Sequence, residues 1–199
     1  LDVVRLLNLE NYQSSAWLEM VPISSQTTMD PMEFRAAISF YLGLPIDGLS
    51  DSCNCKFKGH IDHFGNHAAQ CLRDGVNTIR HDEVKDVLAC MISQAGIRVK
   101  VEDKFILRTG DPREAKRPDI TVFGLGDMGR TLILDITGAH PGAPGYVSSL
   151  KTAEQAGNVY RLKESLKMKK YRECAELANV QFMPLAFDVC GSFSILSCD

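Results

Sequence analysis

Two short apolar runs most constrain how this chain can fold. They are Ile120-Thr121-Val122-Phe123 and Thr131-Leu132-Ile133-Leu134-Asp135-Ile136, joined through Gly124-Leu125-Gly126-Asp127-Met128-Gly129. β-Branched residues in runs this short read as buried strands. A glycine-rich connection between them reads as a hairpin turn. Each run carries one aspartate at its edge, in Arg117-Pro118-Asp119-Ile120 and Leu134-Asp135-Ile136-Thr137. If the strands pair, Asp119 and Asp135 approach each other, and two close carboxylates repel unless a cation lies between them. Hard oxygen donors with room for water describe a Mg²⁺ site. The plainer alternative is that Asp119 caps the turn after Pro118 and Asp135 ends a strand facing solvent.

A core of ordinary size is within reach of the chain, which has 199 residues, 45% hydrophobic and 24% charged. This suits one domain, or a compact domain with a small appendage. No apolar stretch approaches the ~20 residues that span a bilayer, so no membrane partner is expected. There is no secretory start, and Leu1 in place of Met suggests a piece of a longer protein. The net charge of −3 exerts no global pull on nucleic acid, but its distribution is uneven. Acids dominate the first ~50 residues, whereas Lys163, Lys167, Lys169, Lys170 and Arg172 cluster around Glu164 alone. Such a stripe is either a solvated helix face or a track for a phosphate backbone.

Along the chain, residues 1–50 read as a helical segment, clearest at Glu33–Leu42 and stopped by Gly43-Leu44-Pro45. Residues 51–78 are rich in Cys, His, Gly, Asp and Asn and form a loop-built module. From residue 79 to 199 the pattern becomes regular. Val84, Val87, Leu88, Met91, Ile92 and Ala95 fall at helical spacing, with Gly96 as the stop. Ile97–Glu102 alternates as a strand. The two aspartate-bearing strands follow, then a loop over 138–145, a helical stretch at about 148–177 and a last strand at 180–189. Pro184 in that last strand suits an edge. The order is helix, three strands, helix, strand, an α/β layer packing.

Seven cysteines without a secretory signal, three of them crowded beside histidines, point to metal before disulfides. Cys53, Cys55, His67 and Cys71 offer three thiolates and an imidazole, a set that zinc accepts in closed tetrahedral sites. His67 and Cys71 share one face of a helical turn. His60 and His63 are the alternatives to His67. A loop with so little apolar content needs metal to be ordered, and four protein ligands leave no open position for catalysis. At the start of the following helix, Arg80 and His81 project with the apolar stripe toward the sheet, whereas Asp82 and Glu83 project elsewhere. Glu102, ending the alternating strand, is a further acid that could reach the aspartates.

On these residues the chain resembles the restriction-like endonuclease region of one class of LINE-type (non-LTR) retrotransposons, within the PD-(D/E)xK nuclease superfamily. The resemblance starts at Ser15-Ala16-Trp17-Leu18 and at Glu33-Phe34-Arg35 through Leu42-Gly43-Leu44-Pro45. Cys53, Cys55, His67 and Cys71 resemble the family's zinc knuckle. Arg80-His81-Asp82 resembles its Arg/Lys-His-Asn signature, with Asp82 in the asparagine position. Arg117-Pro118-Asp119 and Asp135-Ile136-Thr137 resemble its two acidic elements, and Lys167-Met168-Lys169-Lys170-Tyr171 its Lys-and-Tyr segment. Thr137 stands where the superfamily has lysine, and in this family a lysine of the following helix is thought to serve instead.

The resemblance implies a helix-strand-strand-strand-helix-strand restriction-endonuclease core preceded by a zinc knuckle and a helical segment reached from an upstream reverse transcriptase. It implies a Mg²⁺-dependent DNA endonuclease acting in target-primed integration in the nucleus, with structural zinc. DNA is the expected partner, with element RNA engaged through the upstream region. Asp119, Asp135 and the Ile136 carbonyl would hold Mg²⁺, with Glu102 adjoining. Lys167 would orient water or offset charge on the phosphorane, with Lys163 and Lys170 as alternatives on the same stripe. Arg80 and His81 would position phosphate or carboxylates. Lys163, Lys167, Lys170 and Arg172 would grip DNA backbone, a contact that confers affinity without sequence information. Two other classes compete: a binding module of the same descent with its chemistry lost, and a zinc-stabilised regulatory protein unrelated to nucleases.

Overall fold

A computed structural model describes residues 2–10, 12–23, 28–50, 52–55, 61–71, 75–107, 116–149, 151, 155 and 157–194. Two compact units result. One comprises Leu1–Asn77, Ala139–Val159 and Asp188–Asp199, and the other Thr78–Gly138 and Tyr160–Phe187. Residues 139–159 and 188–199 group with 1–77 in the first unit.

The first unit begins with α1 (Asp2–Leu9), α2 (Ala16–Glu19) and α3 (Pro31–Leu42). Asp30 starts α3 by accepting the Met32 and Glu33 amides while Glu33 returns a carboxylate to the Asp30 amide. This reciprocal cap satisfies amides that a helix start leaves orphaned. Gly43 ends the helix at φ +69, donating to Ser39 and Phe40 carbonyls, and a Cβ there would lie 2.6 Å from the Arg5 guanidinium. Arg5 in turn donates to the Tyr41 carbonyl at 2.8 Å. The chain then forms α4 (Asn66–Gln70), and α5 (Val76–Gln94) carries it into the second unit.

The second unit is built on a four-stranded sheet in the order β1 (Val99–Val101), β2 (Ile120–Val122), β3 (Leu132–Ala139), β4 (Gln181–Asp188). The expected hairpin is present: β2 pairs antiparallel with β3, Ile120 opposite Leu134 and Val122 opposite Leu132. β1 pairs antiparallel with β2, Val101 opposite Ile120. Hydrogen bonds from Gln181 N to Thr131 O and from Val189 N to Ala139 O, with both numbers rising together, run β4 parallel to β3. A mixed sheet with a helical crossover between β3 and β4 is therefore the architecture, and Pro184 sits on an edge strand, where a missing donor is tolerated.

Between β3 and β4 the expected single helix at about 148–177 is two, α6 (Pro144–Ser149) and α7 (Asn158–Leu177). Lys151 between them takes φ +51, which interrupts a helix. Tyr171, Cys174 and Ala175 of α7 close over Ile133 and Leu107 to form the core, with Tyr171 stacked on Phe182 at 4.9 Å.

A second correction concerns α5. The stripe read from the sequence includes Val87 and Met91, which are 58% and 60% exposed. The buried positions are Lys85 and Ala89, with His81, Leu88 and Ile92 partly covered beside them. Apolar spacing misjudges the rotation because the inward face is chosen by an ammonium group that binds two carboxylates.

Candidate metal centres

The register of the sheet sets three acids in a row. Continuing the ladders one step past Val101–Ile120 and Ile120–Leu134 brings Glu102 opposite Asp119 and Asp119 opposite Asp135. The bond from Glu102 N to Asp119 O at 2.9 Å confirms the first step. Residues directly opposite in antiparallel strands share a face, and alternation sets Thr121 and Ile133 on the face of Asp119 and Asp135.

Each acid meets a basic side chain supplied by this chain. Asp135, with 3% of its side chain exposed, is ion-paired to Lys167 of α7. Asp119 accepts from His81 Nε2 at 3.1 Å and from the Ile136 amide at 2.6 Å, both on Oδ2. Glu102 takes Lys85 Nζ on Oε1 at 2.8 Å and Arg117 on Oε2 at 3.0 Å. Lys85 Nζ also donates to Asp82 Oδ1 at 2.8 Å, and that oxygen lies 3.2 Å from His81 Nδ1. Glu102 is held in the left-handed region at φ +52, a strained conformation for a non-glycine residue that clusters at functional sites.

The charges tune one another. Burial pushes the Asp119 carboxyl up, but the hydrogen bonds from His81 and from the Ile136 amide outweigh it and hold Asp119 below the usual carboxylate range. Its bond to Asp119, outweighing burial and aided by Asp82, holds His81 above the ordinary imidazole value. Burial pulls the Lys85 ammonium down, and its bonds to Asp82 and Glu102 reverse this, holding it above the ordinary lysine value. Lys85 lowers Asp82 and Glu102 in turn. Burial first, and the neighbouring Asp135 second, push the Tyr171 hydroxyl far up, so it stays protonated. That hydroxyl lies 3.2 Å from the Arg117 carbonyl and receives Lys170 Nζ at 2.9 Å.

Asp119, Asp135, Glu102, His81 and Lys167 thus converge. Ile136 presents its amide to Asp119. Glu102, expected to adjoin the metal, has its two oxygens paired with Lys85 and Arg117. Asp82, expected to project elsewhere, is a member of the network. Arg80 is partly buried on α5 one residue before His81. Of the expected DNA-binding stripe, Lys167 turns inward, Lys170 lies over Tyr171, Arg172 is exposed and Lys163 half-buried. Sequence reasoning missed Lys85, whose signal was its place four residues after His81 and three after Asp82. It also missed Lys116, which donates to the Lys170 carbonyl.

A different centre lies in the first unit. The ligand atoms of Cys53, Cys55, His67 and Cys71 all stand within 4.8 Å of one another. Cys53 Sγ and Cys71 Sγ are 3.7 Å apart, as are Cys55 Sγ and His67 Nε2. Thiolates ~2.3 Å from a tetrahedral ion stand roughly 3.8 Å apart, so the cluster has the dimensions of a site for a metal such as zinc. His67 joins the cluster, exposed His63 does not, and His60 lies outside the described residues. Asp62 orders the approach: its two oxygens accept the Phe64, Asn66 and His67 amides at 3.1, 3.0 and 2.7 Å. These bonds outweigh burial and keep its carboxyl below the usual value. Gly65, at φ +79, could carry no Cβ without meeting Ile46 at 2.8 Å.

No protein-family model matches the chain, and no curated protein matches it at a significant level.

Proposed function

We propose that the chain is a Mg²⁺-dependent DNA endonuclease domain of the restriction-like type found in LINE-type retrotransposons, with a structural zinc knuckle. The observation that carries this reading is a buried aspartate, Asp135, opposite a second, Asp119, with the Lys167 ammonium paired to Asp135. Two carboxylates at 3% and 15% exposure demand a cation, and their hard oxygens suit Mg²⁺. When bound, such an ion polarises a scissile phosphate and acidifies water.

The chain's own residues do the rest. His81 and the Ile136 amide occupy Oδ2 of Asp119, which leaves Oδ1 to face an ion. Lys167, released from Asp135, supplies a mobile positive charge for the attacking water or the phosphorane and so stands in for the lysine missing at Thr137. Arg117, Lys116 and Lys170 flank the acids and offer phosphate contacts, with Lys163 and Arg172 farther along α7. Cys53, Cys55, His67 and Cys71 would hold zinc.

A second reading, a nuclease-derived nucleic-acid-binding module without chemistry, is favoured by one observation: every acid of the row already has a basic partner from the chain.

Supercoiled plasmid and Mg²⁺ decide between the two. The wild type should nick, and Asp119→Ala and Asp135→Ala should each lower the rate by about 10³-fold, the scale of losing a principal electrostatic contributor. Plasmid retardation without nicking would establish the binding module; equal nicking by all three proteins would remove the aspartates from the chemistry.

A further inference from the structure

Lys85 is the only described residue that touches two acids of the second unit at hydrogen-bond distance and has almost no contact with solvent, its side chain being 6% exposed. A buried ammonium so placed is costly unless its geometry is used. Its two bonds point in different directions. One reaches Glu102 at the end of β1, already fixed by Arg117 and by its amide bond to Asp119. The other reaches Asp82 on its own helix, one turn back. Asp82 shares its Oδ1 between Lys85 and His81 Nδ1, and His81 turns its opposite nitrogen on Asp119.

We infer that Lys85 is a positioning residue: it clamps α5 to the end of β1 and, through Asp82, fixes the His81 ring so that Nε2 meets Oδ2 of Asp119. This rests on the endonuclease reading for its effect on rate, but not for its geometry. An imidazole rotates freely about its last torsion unless its second nitrogen is held, and outer partners of this kind set the orientation of the groups that face a reaction. The arrangement also explains an aspartate at position 82. An amide oxygen could accept from both groups, but only a carboxylate also offsets the charge of the buried ammonium.

The account is tested by variants read in two independent ways. One readout is the imidazole N–H protons of His81 in NMR, which hydrogen bonds at both nitrogens protect from exchange. The other is plasmid nicking, separated into kcat and KM. Lys85→Met keeps the length and removes the charge. It should abolish the protected signal and lower kcat by about tenfold or more with KM little changed. Asp82→Ala, at a 45% exposed side chain that leaves Lys85 paired with Glu102, should do the same if Lys85→Met is too unstable to assay. Asp82→Asn, which keeps an acceptor for Nδ1–H, should restore the signal and bring kcat within about threefold of wild type. A protected His81 signal and unchanged kcat in Lys85→Met or in Asp82→Ala would overturn the inference. If the wild type does not nick at all, the endonuclease reading fails, while the NMR arm still decides whether Lys85 and Asp82 orient His81.

Discussion

The ligands of the Cys/His cluster come from one stretch, residues 53–71, whereas the acids of the second unit come from three strands and meet cations from two helices and a loop. The two centres also balance charge differently. The thiols and imidazole of the first stand within 4.8 Å of one another, Cys53 beside Cys71 and Cys55 beside His67. The carboxylates of the second are each paired with Lys, His or Arg of the same chain. A soft ligand set ties its loop together through the metal it would hold, beside the Asp62 amide bonds. A hard set paired with basic groups of its own should fold without metal and, if it is a Mg²⁺ site, admit the ion by exchange.

The largest effect should therefore follow metal removal from the first centre. A strong chelator, or Cys71→Ser, should abolish amide protection in α4 and its approach, residues 64–70, since zinc at such sites contributes on the order of 10 kcal/mol of apparent binding free energy. Hydrogen exchange should show β2 and β3 still protected under the same treatment. Loss of protection in the strands as well would break the contrast.

A smaller and more diagnostic effect is expected at Lys167. Lys167→Met leaves the Asp135 carboxylate buried without its ammonium and should cost about 3 kcal/mol in chelator, as breaking buried pairs does. Added Mg²⁺ should then return stability to the variant and raise its melting temperature more than the wild type's, because the ion no longer competes with Lys167. Equal responses of the two proteins would show that lysine and metal do not share the site.

How much of this was legible in the sequence follows from the same contrast. Cys53, Cys55, His67 and Cys71 could be read directly because ligand spacing is local. The hairpin and the facing of Asp119 and Asp135 were legible because alternation and a glycine-rich turn dictate register. The rotation of α5 was not, because the local pairing of Lys85 with Asp82 does not by itself turn the lysine inward, and its second partner, Glu102, comes from another element. The break between α6 and α7 was equally hidden, since Lys151 carries no helix-stopping chemistry yet adopts φ +51. Glu102 was recognised as an acid near the pair, but its two cationic partners, one buried on α5 and one before β2, depend on tertiary pairing.

Anomalous diffraction from crystals soaked in MnCl₂, recorded at the manganese and zinc edges, tests the central claim most directly. The account predicts a manganese peak between Asp119 and Asp135 with the Lys167 ammonium displaced from Asp135, and a separate zinc peak among Cys53, Cys55, His67 and Cys71. Lys167 still paired with Asp135 and no manganese between the aspartates, at concentrations that saturate ordinary Mn²⁺ sites, would contradict it.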